Sequence, residues 1–157
     1  KKEETELIFF YDSSFCFFQS FNFGTDMIIK DISKVCKLDI SDVKNFIYDT
    51  KNLNTLNENS VLDQKYFKKR KYKKISLSII TEVALARIKE ILSVIYKQNK
   101  NIDCFKLEKN IIDMTIEDRD IFTKFKTEFI EDLNNCELKY QFLSEVDRSN
   151  AFPAFSA

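Results

Sequence analysis

The stretch from Glu6 to Ile32, ELIFFYDSSFCFFQSFNFGTDMIIKDI, decides the fold. Leu7–Phe10 and Phe15–Phe18 are dense in β-favouring residues, and between them Asp12, Ser13 and Ser14 carry side chains that bond their own backbone in a tight turn. The pattern predicts a β-hairpin, with Phe15, Phe17 and Phe18 packed on its neighbours. A third short strand is expected over Gln19–Phe23, ending at Gly24, the only glycine in the chain, after which Thr25 or Asp26 caps a helix. In that helix Met27, Ile28, Ile32 and Val35 fall at helical spacing while Lys30, Asp31 and Lys34 can lie toward water, and it ends near Cys36 and Lys37.

Further along, Ser41 and Asp42 open another helix with Val43, Phe46 and Ile47 as its apolar stripe, and the asparagine-rich segment from Asn52 to Asn59 reads as a flexible loop. Residues Leu62 to Lys74 mix aromatics with a basic run. The strongest helical pattern follows over Ser76–Gln98, where Ile80, Ala84, Ile88, Ile91 and Ile95 trace one face. Short strands are expected at Ile102–Leu107 and Ile111–Met114. Thr115 with Asp118 three residues later resembles the start of a helix over Ile116–Leu133, striped by Phe122, Phe125, Phe129 and Leu133 as core. A last strand falls at Leu138–Leu143. Strands, then helices, then strand and helix alternating predict a mixed α/β layer architecture.

Composition narrows the function. With 157 residues, 44% hydrophobic and 14% aromatic, the chain has the size and apolar content of one domain with one core. Lysine plus arginine (25) balance aspartate plus glutamate (25), so the overall field gives no drive toward nucleic acid. The cysteines Cys16, Cys36, Cys104 and Cys136 form no CxxC pair and there is no histidine, which disfavours a zinc site and leaves reduced, mostly buried thiols as the expectation. The lack of histidine and of a GxSxG turn also removes the usual parts of nucleophilic catalysis, so no catalytic residue and no metal ligand is assigned. No apolar run approaches the roughly 20 residues of a membrane-spanning helix.

Several motifs, in order, resemble FtsA-like bacterial cell-division proteins of the actin-like superfamily. The Glu6–Ile32 stretch is similar to the start of the second domain of that family, with Asp31 and Ile32 matching the end of its T-x-D-I helix, and SKVCKLDISDVKNFI is similar to the helix, loop and helix that begin the outer subdomain. The most specific match is LSIITEVALARIKEILSVI from Leu77 to Ile95, in which Glu82, Val83, Arg87, Glu90 and Leu92 occupy the places of the pattern E-V-I-x-x-R-x-x-E-I/L-L. The closing FPAFSA resembles the family's Pro-x-Tyr-Ser/Thr-Ala stretch.

The resemblance implies an actin-like, ribonuclease H-like domain with an inserted outer subdomain. Residues 1–36 would start subdomain 2A, residues 37–100 would form the outer 2B-like part with the long helix, and residues 101–157 would return to 2A. It also implies a fragment, with the first actin-like domain before Lys1 and an amphipathic membrane-binding tail after Ala157.

Departures from the family bear on ATP and magnesium, its cofactors. The glycine-rich phosphate loop expected before the first strand is replaced by Lys1-Lys2-Glu3-Glu4-Thr5, which has no glycine and carries two carboxylates that would repel phosphate. The adenosine-side Gly-Gly turn is replaced by LEKNIIDMT over residues 107–115, and Lys44 and Ile47 stand where the family has a glutamate and a lysine beside the nucleotide. Gly24, Lys44 and Ile47 are thus degenerate cofactor positions, and no bound nucleotide is expected.

The implied function is an adaptor. Arg87 and Glu90 on the long helix, with Lys73 at its edge, would dock the C-terminal peptide of FtsZ at the inner face of the cell membrane. The bland alternative is a surface ion pair between Arg87 and Glu90. The run Lys65–Lys74 reads as a solvated loop, or as a surface for acidic partners or for self-association into actin-like filaments; nucleic acid is the weakest of its readings. Rival functions are an active ATPase of the actin and Hsp70 group, or a pilus-assembly protein similar to PilM.

Overall fold

Strands β1 (Thr5–Tyr11) and β2 (Ser14–Phe21) pair antiparallel, with Thr5 opposite Phe21, Phe9 opposite Phe17 and a bulge between Phe9 and Phe10. The computed structural model describes residues 1–11, 14–49, 60–67, 71–103, 112–135 and 140–142. The expected hairpin is therefore present, but the third strand is not. Residues Gln19–Phe21 continue β2, because nothing between Phe18 and Gln19 turns the chain. Within the pairing Phe9 and Phe17 stack face to face, with centroids 5.4 Å apart.

Helix α1 (Asp26–Cys36) begins where the sequence places it, but its cap is made differently. Thr25 makes no side-chain cap; the amides of Thr25 and Asp26 donate to the carbonyl oxygens of Lys1 (3.2 Å) and Lys2 (2.9 Å). The first residues of the chain thereby satisfy donors that a helix N-terminus leaves open. Gly24 is what allows this approach, since a Cβ there would lie against the Lys1 carbonyl oxygen and 2.6 Å from that of Lys2. The helix ends at Lys37 in the left-handed conformation (φ 51°), closed by the amides of Lys37 and Leu38 on the carbonyls of Lys34 and Ser33. Ile28, Ile29 and Ile32 are buried, whereas Val35, expected in the stripe, is 58% exposed.

Helix α2 (Ile40–Ile47) buries Val43, Phe46 and Ile47 as its pattern requires. After a short 3₁₀ turn at Gln64–Tyr66, an antiparallel bridge between Val61 and Ser76 pins the two ends of the basic segment together. Helix α3 (Leu77–Leu92) opens with the Ser76 hydroxyl accepting from the Ser78 amide and runs on through one π turn at Ser93–Lys97, matching the expected span. Its buried line of Leu77, Ile80, Ala84, Ile88 and Leu92 is the middle of the core, with α1 packed on one side and α6 on another.

The expected strand at Ile102–Leu107 is not formed at its start: Ile102 is buried in α4 (Lys100–Asp103), where the Asn99 side chain accepts from the Asn101 amide and favours a helical turn. Strand β3 (Ile112–Met114) pairs parallel with β4 (Tyr140–Phe142) through α5 (Arg119–Lys124) and α6 (Lys126–Asn135), a βαβ connection. The single helix expected over Ile116–Leu133 is thus two, started by Asp118, whose carboxylate accepts from the Ile121 amide, and divided at Phe125. Phe125, Phe129 and Leu133 are buried and Phe122 packs beside them.

Among the described residues the architecture is a small mixed α/β domain with two two-stranded sheets and six α-helices around one core. Of the two cysteines among the described residues, Cys16 on β2 is exposed, and Cys36 is half-buried with its thiol pKa pushed up by burial. The asparagine-rich loop, Lys68–Arg70, Cys104, Cys136 and the FPAFSA segment lie outside the described residues.

Candidate functional site: the seam between helices α1 and α3

Arg87 and Glu90 are one helical turn apart on α3, and the Arg87 Nη1 meets the Glu90 carboxylate at 2.9 Å. The sequence did not point to Arg87's second partner. Its Nε donates to the carboxylate of Asp31 on α1, 56 positions away in the chain. Both Arg87 and Asp31 are about four-fifths buried by side chain, at 21% and 20% exposure, while Glu90 is 61% exposed. Asp31 first, and the nearby charge of Glu90 as well, raise the pKa of the guanidinium, which stays fixed as a cation.

Lys73 comes to the other end of the same seam. Its Nζ donates to the Lys37 carbonyl at 2.9 Å, beside the negative end of the α1 dipole. Asp31 meets Arg87 and Lys37 meets Lys73, so moving forward along α1 is moving backward along the other chain segment, and α1 and α3 run antiparallel. Val35 lies one turn beyond Asp31, and Ile79 and Val83 lie two and one turns before Arg87, so by i, i+4 spacing both stripes flank this seam. Val35 and Ile79 are exposed at 58% and 44%, and Val83 is half-buried. The seam therefore offers a short apolar strip with Arg87 and Glu90 at one end and Lys73 at the other. A residue-by-residue hydropathy pattern misses it, because Val35 and Ile79 look like ordinary members of a buried face.

The degenerate cofactor positions fall in different environments. Ile47 is buried in the core, Lys44 is exposed on α2, and Gly24 sits beneath the backbone of Lys1 and Lys2, whose carbonyls already occupy the amides at the start of α1. The basic segment is divided in its roles: Lys65 pairs with Asp49 at 2.9 Å, Tyr66 is buried edge-on against Phe46, Phe67 leans on Tyr72, and Lys71, Lys73 and Lys74 are exposed.

A second polar cluster is structural. Asp118, buried, accepts from the Thr25 hydroxyl (3.1 Å), the Tyr48 hydroxyl (3.4 Å) and the Ile121 amide (3.4 Å), and so ties α1, α2 and α5 together. Burial first, and the Asp118 charge next, push the Tyr48 pKa up, while Lys2 over the Tyr48 ring opposes them. Lys124 is also buried, its ammonium 4.4 Å from the centre of the Phe46 ring and with no hydrogen-bond partner among the described residues. Burial lowers its pKa.

No family model, curated protein or solved structure matches this chain. Among the described residues no helix is long and apolar enough to cross a membrane.

Proposed function

We propose that this chain is an adaptor that receives a short peptide along the α1–α3 seam, and that the peptide is the C-terminal segment of an FtsZ-type filament protein bound by an FtsA-like domain. The observation that carries the proposal is the strip itself: a guanidinium held immobile by Asp31 and Glu90, two exposed aliphatic side chains, and Lys73 tethered at the far end. A cation already ordered by its neighbours loses little side-chain entropy on meeting a carboxylate, and exposed Val35 and Ile79 supply apolar area that a peptide would cover. The actin-like part of this reading rests on the sequence motifs, chiefly Glu82 to Leu92, and on the order of hairpin, helix, inserted segment and βαβ unit.

The test is titration of a fluorescently labelled FtsZ C-terminal peptide followed by anisotropy. Arg87→Glu, the obvious variant, places a second carboxylate against Asp31 and so disturbs the fold as well as the site. Lys73→Glu is expected to weaken binding about tenfold, or ~1.4 kcal/mol, while Glu90→Lys, which frees Arg87 of a competing carboxylate, is expected to tighten it, both with the thermal melt unchanged. Binding untouched by both variants removes the site. A folded chain that ignores the peptide removes the FtsZ reading.

A further inference from the structure

The C-terminal end of α1 gathers exposed lysines. Lys34 and Lys37 belong to the helix end, and the Lys73 ammonium on the Lys37 carbonyl, 2.9 Å away, brings the segment holding Lys71, Lys73 and Lys74 against it. None of these ammoniums is in an ion pair among the described residues. The acids nearest in sequence are taken up elsewhere: Asp31 holds Arg87, and at the start of α2 Asp39 is half-buried and Asp42 buried. Beside the lysines stand three exposed apolar side chains, Val35 at 58%, Ile40 at 46% and Tyr72 at 38%, the last with its ring edge-on to Phe67. The negative end of the α1 dipole accounts for cations at Lys34 and Lys73, but not for Lys71 and Lys74, nor for apolar groups left in water among charges.

We infer that this end of the domain lies on the surface of an anionic lipid bilayer, with the lysines at the headgroup phosphates and Val35, Ile40 and Tyr72 reaching past them to the acyl boundary. The chemistry of the patch selects the occupant. The ammoniums are exposed and come from two segments of chain, so they present separate point charges suited to a plane of phosphates rather than converging donors that grip one anion. Near an anionic leaflet each such lysine adds about fivefold to affinity. A nucleic acid would use the lysines and stack a base on Tyr72, but it gives Val35 and Ile40 nothing to enter. At a bilayer, aliphatic side chains enter the acyl boundary and a tyrosine sits at headgroup level. With an overall formal charge of +0 the attraction is local to this face, and so it orients the domain on the surface. Val35 and Lys73 also border the α1–α3 seam, whereas Lys34, Lys71 and Lys74 play no part in the peptide proposal and serve as the test.

Co-sedimentation of the intact chain with vesicles needs no peptide, so its outcome is independent of the adaptor proposal. Binding is expected to vesicles containing phosphatidylglycerol and not to phosphatidylcholine alone, and it should weaken as salt is raised. Replacing Lys34, Lys71 and Lys74 together by serine is expected to weaken it about a hundredfold, with the melt unchanged because all three are exposed. The chain has no tryptophan, so Ile40→Trp reports insertion directly: its emission is expected to shift to the blue on anionic vesicles, while that of Asn22→Trp, exposed at the opposite end of α1, stays where it is. A folded chain that ignores phosphatidylglycerol, equal binding to neutral vesicles, a serine variant that binds as the wild type does, or an unmoved Ile40→Trp emission overturns the inference. So does an oligonucleotide or a polyglutamate peptide held more tightly than the anionic vesicles at the same ionic strength.

Discussion

Helix α3 and the β1–β2 ribbon are both apolar-rich, yet one forms the centre of the core and the other stands at its margin. A helix confines its apolar residues to a stripe, so α3 buries Ile80, Ala84 and Ile88 completely while Glu82, Ala86 and Glu90 face water. A ribbon with apolar residues on both faces can turn only one face inward. Leu7 and Phe21 reach the core, and Phe18, directly opposite Ile8, remains half in solvent. Apolar content alone therefore does not locate the core; the period with which it recurs does.

Phenylalanine-to-alanine changes test that contrast most strongly. Phe125→Ala is expected to lose about 3–5 kcal/mol, since the ring is wholly buried and leaves a cavity, whereas Phe18→Ala is expected to stay within ~0.5 kcal/mol. Urea unfolding measures both, and equal losses would break the distinction between core and ribbon.

A smaller effect comes from Arg87, where α3 meets α1. Arg87→Glu is expected to destabilise by about 2 kcal/mol because it repels the partly buried Asp31, while Glu90→Ala, at an exposed end of the same cluster, should change stability by less than ~0.5 kcal/mol. A melt series on the two variants separates the tertiary pair from the surface pair.

Lys124 sharpens the comparison from the opposite direction, as a charge inside the core. Lys124→Met keeps the length of the side chain and removes a buried, unbonded ammonium, so it is expected to stabilise by about 1–2 kcal/mol after the loss of its contact with Phe46 is counted. Burial places its folded-state pKa below the ordinary value of 10.5, so the penalty is fully present below the folded value and is relieved as pH rises from there toward 10.5. Wild-type stability should gain over that window from this group, and Lys124→Met should lose that gain.

Smallest of all is Lys37→Gly. A non-glycine residue at φ 51° is strained, and glycine at this helix end is expected to stabilise by about 0.5–1 kcal/mol, read as a modest rise in Tm. Its Lys37 carbonyl still accepts from Lys73, so the seam is expected to survive the change.

Much of the fold was legible from local signals. Ser76 at the head of the α3 stripe, the Val43, Phe46 and Ile47 stripe of α2 and the glycine ahead of α1 each mark an element by its own chemistry, whereas the start expected at Thr115 falls instead at Asp118. The third strand expected over Gln19–Phe23 is not separate, because Gln19 and Ser20 extend β2, with the Gln19 side chain accepting from a neighbouring amide. At the candidate site, Arg87, Glu90 and Lys73 were singled out by the family resemblance of their motif, but Asp31 and the exposed Val35 and Ile79 were not.

By itself the sequence determined the class of fold, the position of its strongest helices and the absence of histidine chemistry, because periodicity, caps and residue inventory act within a few positions along the chain. Tertiary structure alone decided that Asp31 holds Arg87, that Lys124 is buried over Phe46, that Lys1 and Lys2 cap α1 and that Phe18 on β2 stays half exposed. Each of these depends on segments far apart in sequence arriving at one place, and the side chains that face each other there follow from how helices and strands pack, which no local pattern encodes.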